Sequence, residues 1–283
     1  MQKKIETVKT LLEALPYIKK FRDEIIVIKY GGSAQLNNDL KEKFAQDISL
    51  LHTVGLKPVI VHGGGKSISS LLDQLGIKSK FIDGERVTTK EAMRIVEMVL
   101  AGEINKEIVS LLNLHGLKAI GISGKDAFFM EAVAKDKEKF GYTGVIKHIN
   151  PEIVLNILKE NFVPVIAPIA ASRELSHPGF NINADLVASK VAVALKARKI
   201  LFLTDTPGVL DEDGNLISLL TIQEVEDLKS KGVISGGMVP KVNAAIEALK
   251  GGVKKAHIID GRVEHSLLLE ILTSSGIGSC IEL

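Results

Sequence analysis

IIVIKYGGSA, residues 25–34, is a run of mostly β-branched residues that breaks into a lysine, a tyrosine and a glycine pair. This is the pattern of a buried strand that delivers its C-terminal end to an anionic ligand, the edge at which α/β sheets bind. Lys29 stands there as a point charge, and Gly31 and Gly32 let the backbone turn and bring N–H groups close to a phosphate. Taken alone, the stretch also reads as a β-turn beside a solvated lysine. A second stretch, PVIVHGGGKS at residues 58–67, decides between the two. It is again an apolar strand ending in glycines, followed by Ile68, Leu71, Leu72 and Leu75 at helical spacing. Neither common nucleotide motif is present. A Walker A loop needs a glycine where the chain has Ile60, and a Rossmann fingerprint needs one where it has Ile68.

Upstream, residues 4–20 pattern as a helix with Val8, Leu11, Leu12, Leu15 and Ile18 on one face, and Pro16 predicts a kink or a division. A helix ahead of the first core strand has no place in the sheet, so its apolar face is expected on another subunit or on its own lobe. Downstream, a helix over 38–54, a strand over 57–62 and a helix from Lys66 make a strand–helix–strand unit and hence a parallel sheet. KFIDGERVT, residues 80–88, alternates about Asp83-Gly84, a two-residue hairpin signal whose second strand carries Arg86. A long helix over 90–114, a strand over 118–122 and antiparallel hairpins within 127–148 are expected next. They precede a helix opened by Pro151 and a buried strand over 164–169. The loop over 170–180, with its Ser, His, Pro and Gly, reads as a seam between lobes. Beyond it come NINAD (181–185) leading a small-residue helix, a strand over 199–203 ending in TDTPGV, and an acidic helix from Thr221. GGMVPK (236–241), a strand over 256–259, a helix over 264–272 and a terminal segment over 278–281 complete the chain.

Composition narrows the classes. With 283 residues, 46% hydrophobic and 25% charged, the chain is an ordinary globular protein of one large domain or two lobes. Its net charge of +2, from 36 basic and 34 acidic residues, argues against nucleic acid or a membrane surface as the main partner. Cys280 is the only cysteine, which excludes an intramolecular disulfide and a cysteine-rich zinc site. The N-terminal stretch lacks an apolar signal core and the longest apolar run, 163–171, is too short to span a bilayer, so a cytoplasmic location is expected.

In order, KYGGSA, VHGGGKS, DGERVT, NINAD, TDTPGVL and GGMVPKV resemble the amino acid kinase family, over residues 25–283. The resemblance implies a three-layer α/β/α sandwich with a mainly parallel open sheet in two lobes. Residues 25–176 would take the amino-acid substrate and 177–283 the nucleotide, behind a leading helix at 1–24. It also implies phosphoryl transfer from ATP, with Mg2+, to the side-chain carboxylate of N-acetyl-L-glutamate in arginine biosynthesis. The chemistry suits these residues. A carboxylate of pKa about 4.3 is already ionised at neutral pH and needs no general base. The obstacle is an anion approaching a polyanion, so lysines and backbone N–H groups become the catalytic parts.

By the match, Lys29 and Lys241 are those lysines, one from each lobe, and Asp185 holds their ammonium groups. Their ordinary readings are a solvated lysine, a helix C-terminal lysine and a helix N-terminal carboxylate. Gly64 and Gly65 would offer N–H groups to the reacting carboxylate, Arg86 would clamp the α-carboxylate and Asn181 would hold the other end. Gly31 and Gly32 would meet the phosphates, with Thr204 and Asp205 near the adenosine. No metal ligands are assigned. The leading helix matches family members that interlace dimers into a hexamer, a trimer of dimers, inhibited by L-arginine. Tyr17, His257, Glu270 and Gly276 correspond to that effector pocket. Two alternatives stay open. One is a kinase for an acylated aminoadipate, since one methylene discriminates by only about 1–3 kcal/mol. The other is a catalytically idle arginine-binding sensor.

Overall fold

The computed structural model describes every residue except Asp83, and every side chain except those of Lys3, Thr7 and Asp83. Helix α1 (Gln2–Phe21) runs through Pro16 undivided. Pro16 lies on its exposed side, where water can take the carbonyl that the proline leaves unpaired. Strand β1 (Ile25–Tyr30) is buried from Ile26 onward. A 3-10 turn (Gly32–Gln35) leads to α2 (Asn38–Thr53), whose first turn is capped by the Asn37 side chain. Strand β2 (Lys57–His62) then runs into its glycines, and α3 (Gly65–Gln74) starts on the third of them. The hairpin of β3 (Lys80–Ile82) and β4 (Glu85–Val87) forms as expected, with Gly84 at φ +79°; Asp83 lies outside the described residues.

The helix expected over 90–114 is not uniform. Helix α4 (Lys90–Glu97), capped by Thr89, passes into a π-helical segment (Met98–Ile104) and then α5 (Asn105–Leu114). Gly102 lies in the widened segment, and π turns of this kind cluster at functional sites. Next come β5 (Ala119–Ser123), β6 (Met130–Ala134), α6 (Lys137–Phe140) and β7 (Gly144–Ile149), with β6 and β7 pairing antiparallel. Pro151 opens α7 (Glu152–Lys159), which precedes β8 (Val163–Ala167). Strands β9 (Ile169–Ala170) and β10 (Phe180–Asn181) pair across the loop between them. Helix α8 (Ala184–Ala194) is capped by Asn183 and followed by β11 (Lys199–Thr204).

Strand β12 (Leu219–Thr221) was not expected, because three residues are too few to show a period. A capping box of Thr221 and Glu224 starts α9 (Ile222–Ser230). Helix α10 (Met238–Lys250), β13 (Lys255–Asp260), α11 (Ser266–Leu272) and β14 (Ser279–Glu282) complete the fold. Helix α11 starts two residues later than expected, because His265 adopts a left-handed conformation at its N-cap.

Eight strands make one sheet in the order β12-β14-β13-β11-β1-β2-β8-β5. Only β13 and β14 pair antiparallel within it; every other neighbouring pair is parallel. Helices cover both faces, giving the expected three layers. Ile26, Ile28 and Tyr30 of β1 pack with α2, α3, α4 and α11, whereas Val27 packs with α7, α8 and α10. A strand buried on both faces reads as a continuous apolar run, which is why β1 was legible at once. Among the described residues no helix is long and apolar enough to cross a membrane.

Candidate active site

Strand β1 lies between β11 and β2, where the strand order reverses, and its C-terminal end therefore opens onto a crevice. Alternation along β1 puts Lys29 on the same face as Val27, the face covered by α8 and α10. Helix α8 supplies Asp185 in its first turn, where Asn183 Oδ1 accepts the Asp185 N–H at 2.9 Å. Helix α10 supplies Lys241. The three side chains converge: Lys29 Nζ is 3.1 Å from Asp185 Oδ1 and Lys241 Nζ is 3.0 Å from Oδ2. Asp185 is 5% exposed. Burial pushes its carboxyl up, the charges of Lys29 and Lys241 overcome that, and the net position is below the usual carboxylate range. Lys29 meets Oδ1 outside hydrogen-bonding angles, so among the described residues that oxygen has no hydrogen-bond partner.

Lys241 stands in the first turn of α10, not at a helix C-terminus. A cation there is opposed by the helix dipole, so its position depends on Asp185.

The crevice holds about 800 Å3 and is walled by Lys29, Gly31, Gly32, Gly64, Gly65, Arg86, Asn181 and Asp185 among others. Eight of the residues marked by sequence are thus gathered at one site. Lys241 joins them through Asp185, but Thr204 and Asp205 stand outside the walls. Asp205 Oδ1 accepts the Ser33 N–H at 2.6 Å and so braces the 3-10 turn after β1. Gly32, at φ +74°, packs so closely that a β-carbon would lie 2.5 Å from that same oxygen. Thr204 is buried at the end of β11, where its carbonyl accepts the Gly261 N–H at 2.9 Å. Two positions on, the Thr206 hydroxyl is buried with no partner among the described residues.

Arg86 is 7% exposed and lies over the Phe81 ring at 4.7 Å. Its guanidinium donates to Ser79 Oγ at 2.7 Å, Ser69 Oγ at 2.8 Å and the Gly65 carbonyl at 3.0 Å. Asn181 donates to Thr88 Oγ1 at 3.1 Å; Thr88 and Thr143 share a 2.9 Å hydroxyl contact, and Thr143 donates to the Arg86 carbonyl at 2.5 Å. The β3–β4 hairpin, the β6–β7 pair and β10 are thereby tied into one wall.

Gln35 was not anticipated. Its amide donates to the Tyr30 carbonyl at 3.1 Å and the Gly63 carbonyl at 3.5 Å, linking the two glycine turns. Lys66 and Glu103 also line the crevice. No sequence signal marks Gln35, since its partners are backbone atoms of another segment.

His257, Glu270 and Gly276 gather elsewhere. His257 Nδ1 donates to Glu270 Oε1 at 2.6 Å, and Oε2 accepts the N–H groups of Ile277 at 2.7 Å and Gly278 at 3.1 Å. Gly276, at φ +63°, leaves no room for a β-carbon, which would sit 2.7 Å from Oε2. Tyr17 is half-buried on α1, which packs against α11, the helix of Glu270. Lys199, unmarked by sequence, is buried here with its ammonium 4.7 Å from the Phe21 ring centroid. Burial lowers the His257 pKa and raises that of Glu270, but the His257 bond and the backbone donors leave Glu270 below its ordinary value. Both shifts mean that the unfolded chain binds more protons, so stability falls with acidification from about pH 6.5 to below 4.5. Glu270→Gln should therefore lower the unfolding free energy by about 2 kcal/mol at pH 7. In urea titrations the gap to wild type should close as the pH falls below the usual carboxylate range.

A family model described as Amino acid kinase family matches residues 24–260. The chain belongs to this family. Amino acid kinases are phosphotransferases, and this one is 71% identical over 283 residues to the acetylglutamate kinase of Sulfurovum sp. (strain NBC37-1), with 100% of both chains covered. It is also 71% identical over 279 residues to the acetylglutamate kinase of a Nitratiruptor species, covering 99% of this chain and 98% of that one. Among solved structures, the kinase superposes on N-acetylglutamate synthase from Neisseria gonorrhoeae complexed with coenzyme A and N-acetyl-glutamate, with a TM-score of 0.86 and 26% identity. That match covers 98% of this chain but 63% of the synthase, so the kinase spans less than two thirds of that protein.

Proposed function

We propose that the chain transfers the γ-phosphoryl group of ATP to the side-chain carboxylate of N-acetyl-L-glutamate, forming N-acetyl-L-glutamyl 5-phosphate in arginine biosynthesis. The observation that carries this is the meeting of Lys29 and Lys241 on Asp185 at the mouth of a crevice walled by two glycine turns. A carboxylate oxygen of the substrate attacks the γ-phosphorus, the bond to the bridging oxygen breaks, and ADP leaves with the electron pair. No proton moves, so the chain supplies position and charge. Lys29 and Lys241 bear on the transferring group from opposite sides, with Asp185 holding both. The N–H groups of Gly64 and Gly65 receive the acceptor carboxylate.

Residues 25–176 would hold the acceptor and 177–283 the nucleotide, with Gly31 and Gly32 at the phosphates and Thr204 and Asp205 near the adenosine. The unpartnered Thr206 hydroxyl supports a polar ligand at that loop. Mg2+ would arrive with the nucleotide, because among the described residues no three His, Cys, Asp or Glu side chains are grouped to hold a metal. The test is ADP release across N-acetylglutamate, N-acetylaminoadipate, glutamate, aspartate, carbamate and UMP. Faster turnover of any acceptor but the first overturns the assignment.

Arg86 has five N–H donors, of which three are engaged, both of those on Nη2 among them, and one of the two that remain, on Nε or Nη1, would meet the α-carboxylate. Lysine cannot hold Ser79, Ser69 and the Gly65 carbonyl and still reach the carboxylate. Arg86→Lys should raise KM for N-acetylglutamate about 10- to 100-fold, the loss of one or two charged hydrogen bonds, and leave KM for ATP unchanged. Steady-state kinetics in both substrates checks this.

Regulation by L-arginine belongs to the same proposal, at Tyr17, His257, Glu270 and Gly276. Ile5, Val8, Leu11, Leu12 and Leu15 of α1 are exposed apolar side chains, which supports packing of α1 on a second copy and assembly as a hexamer. Saturating arginine should depress turnover of the wild type, and light scattering should show a smaller particle once residues 1–24 are removed. Turnover indifferent to arginine removes the regulatory part.

A further inference from the structure

Alternation along β2 sends Val59 and Val61 to the α8 side of the sheet and His62 to the other side, under the junction of the π-helical segment with α5. His62 is fully buried and Asn105 is 1% exposed. Asn105 Nδ2 lies 3.2 Å from His62 Nε2 and 2.9 Å from the Val165 carbonyl, while Asn105 Oδ1 accepts from Lys106 Nζ at 3.1 Å. These neighbours leave the amide one orientation. Turned over, it would set its NH2 group against an ammonium and its oxygen against a carbonyl. Asn105 therefore donates to Nε2, and the proton of a neutral ring must sit on Nδ1. That atom is 3.0 Å from the Gly63 carbonyl, which it must serve as donor.

The consequence falls on the next atom of the chain. In a trans peptide the carbonyl and the following N–H point in opposite directions, so a bond that holds the Gly63 carbonyl also sets the direction of the Gly64 N–H. Among the described residues that N–H has no acceptor, and Gly64 lies in the wall of the crevice. Leu100 and Ile104 of the π-helical segment, which also line the crevice, press on Gly64 so closely that a β-carbon would lie 2.6 and 2.5 Å from them. We infer that His62 is a positioning residue: locked in one tautomer by Asn105, it holds the Gly63–Gly64 peptide so that the Gly64 N–H faces the acceptor. Burial lowers the ring's pKa to about 4, with Lys106 adding to the effect, so the ring stays neutral through any ordinary assay. The inference rests on the proposed acceptor site, and its test separates the two.

Asparagine at residue 62 can place an amide nitrogen where Nδ1 stood, whereas glutamine reaches the position of Nε2. His62→Gln and His62→Leu should lower kcat about 100-fold, the scale of one lost or misaimed donor to the reacting group, with KM for ATP within twofold. His62→Asn should recover all but about threefold. Asn105→Ala, which removes the lock and leaves the ring in place, should lower kcat with KM for ATP again unchanged. Equal kcat for His62→Asn and His62→Gln overturns the inference, as do losses that simply follow the urea midpoints of the variants. If the wild type phosphorylates no acceptor in the panel, the functional reading fails but the geometry is still readable. The amide 1H–15N shift of Gly64 should then match wild type in His62→Asn and move in His62→Gln, and the reverse order rejects the role of the ring.

Discussion

Lys29→Ala is expected to cut kcat by about two to three orders of magnitude, the usual cost of losing one charge-stabilising group aimed at a transition state. Lys241→Ala should do the same. Each ammonium lies against one oxygen of the same carboxylate, at 3.1 and 3.0 Å, so the two act as a unit. The double variant should therefore lose much less than the product of the single losses. Because the charge on the transferring group is what the lysines serve, kcat should fall more than the affinity for ATP measured by equilibrium binding. Turnover within tenfold of wild type in Lys29→Ala would remove the catalytic role. So would losses confined to KM.

Asp185→Ala should strike both stability and turnover. The carboxylate is buried between two ammonium groups, and its loss leaves two like charges close together, one of them 8% exposed. Breaking such an arrangement from one side costs about 3–5 kcal/mol, a large share of the stability of a domain. Asp185→Asn keeps the shape and should lose less stability while losing most of the turnover. The pH dependence follows from the direction of the shift. Burial alone would raise this carboxyl, but the lysines hold it below its unfolded value. Its stabilising contribution is therefore complete above the unfolded pKa and is lost as the pH falls through the lower folded one. Urea midpoints of wild type and Asp185→Asn should converge in acid. A gap that stays constant down to about pH 3 contradicts the ion-pair account.

Part of the candidate site was marked by its own residues, and the rest only through the resemblance. Lys29 stood out because a charge closes an apolar strand just before two glycines, whereas the turn signal placed Arg86 on a hairpin strand and only the resemblance gave it a role. Lys241 was marked only through the resemblance, and its plain reading as a helix C-terminal lysine was wrong, since α10 begins at Met238, within GGMVPK, and Lys241 falls in its first turn. Asp205 was marked through the resemblance as near the adenosine, whereas its side chain braces the turn at Ser33, far off in the sequence. Asn105 and Gln35 carried no signal, because each acts on atoms of a different segment; His62 lies in VHGGGKS, but its bond to the next residue's carbonyl shows only once Asn105 is packed against it.

What the sequence determined by itself was everything with a short period: the buried strands, the amphipathic helices, the turns that need glycine, and so the α/β class with its binding edge. Tertiary structure alone decided which helix covers which face of the sheet, and through that which side chain meets which. A strand states only that neighbours point to opposite sides. That Lys29 faces Asp185 and Lys241, while His62 faces Asn105, depends on α8 and α10 closing over one face and α5 over the other. Such long-range closures leave no local trace, because their free energy comes from surfaces that touch only once the chain is folded.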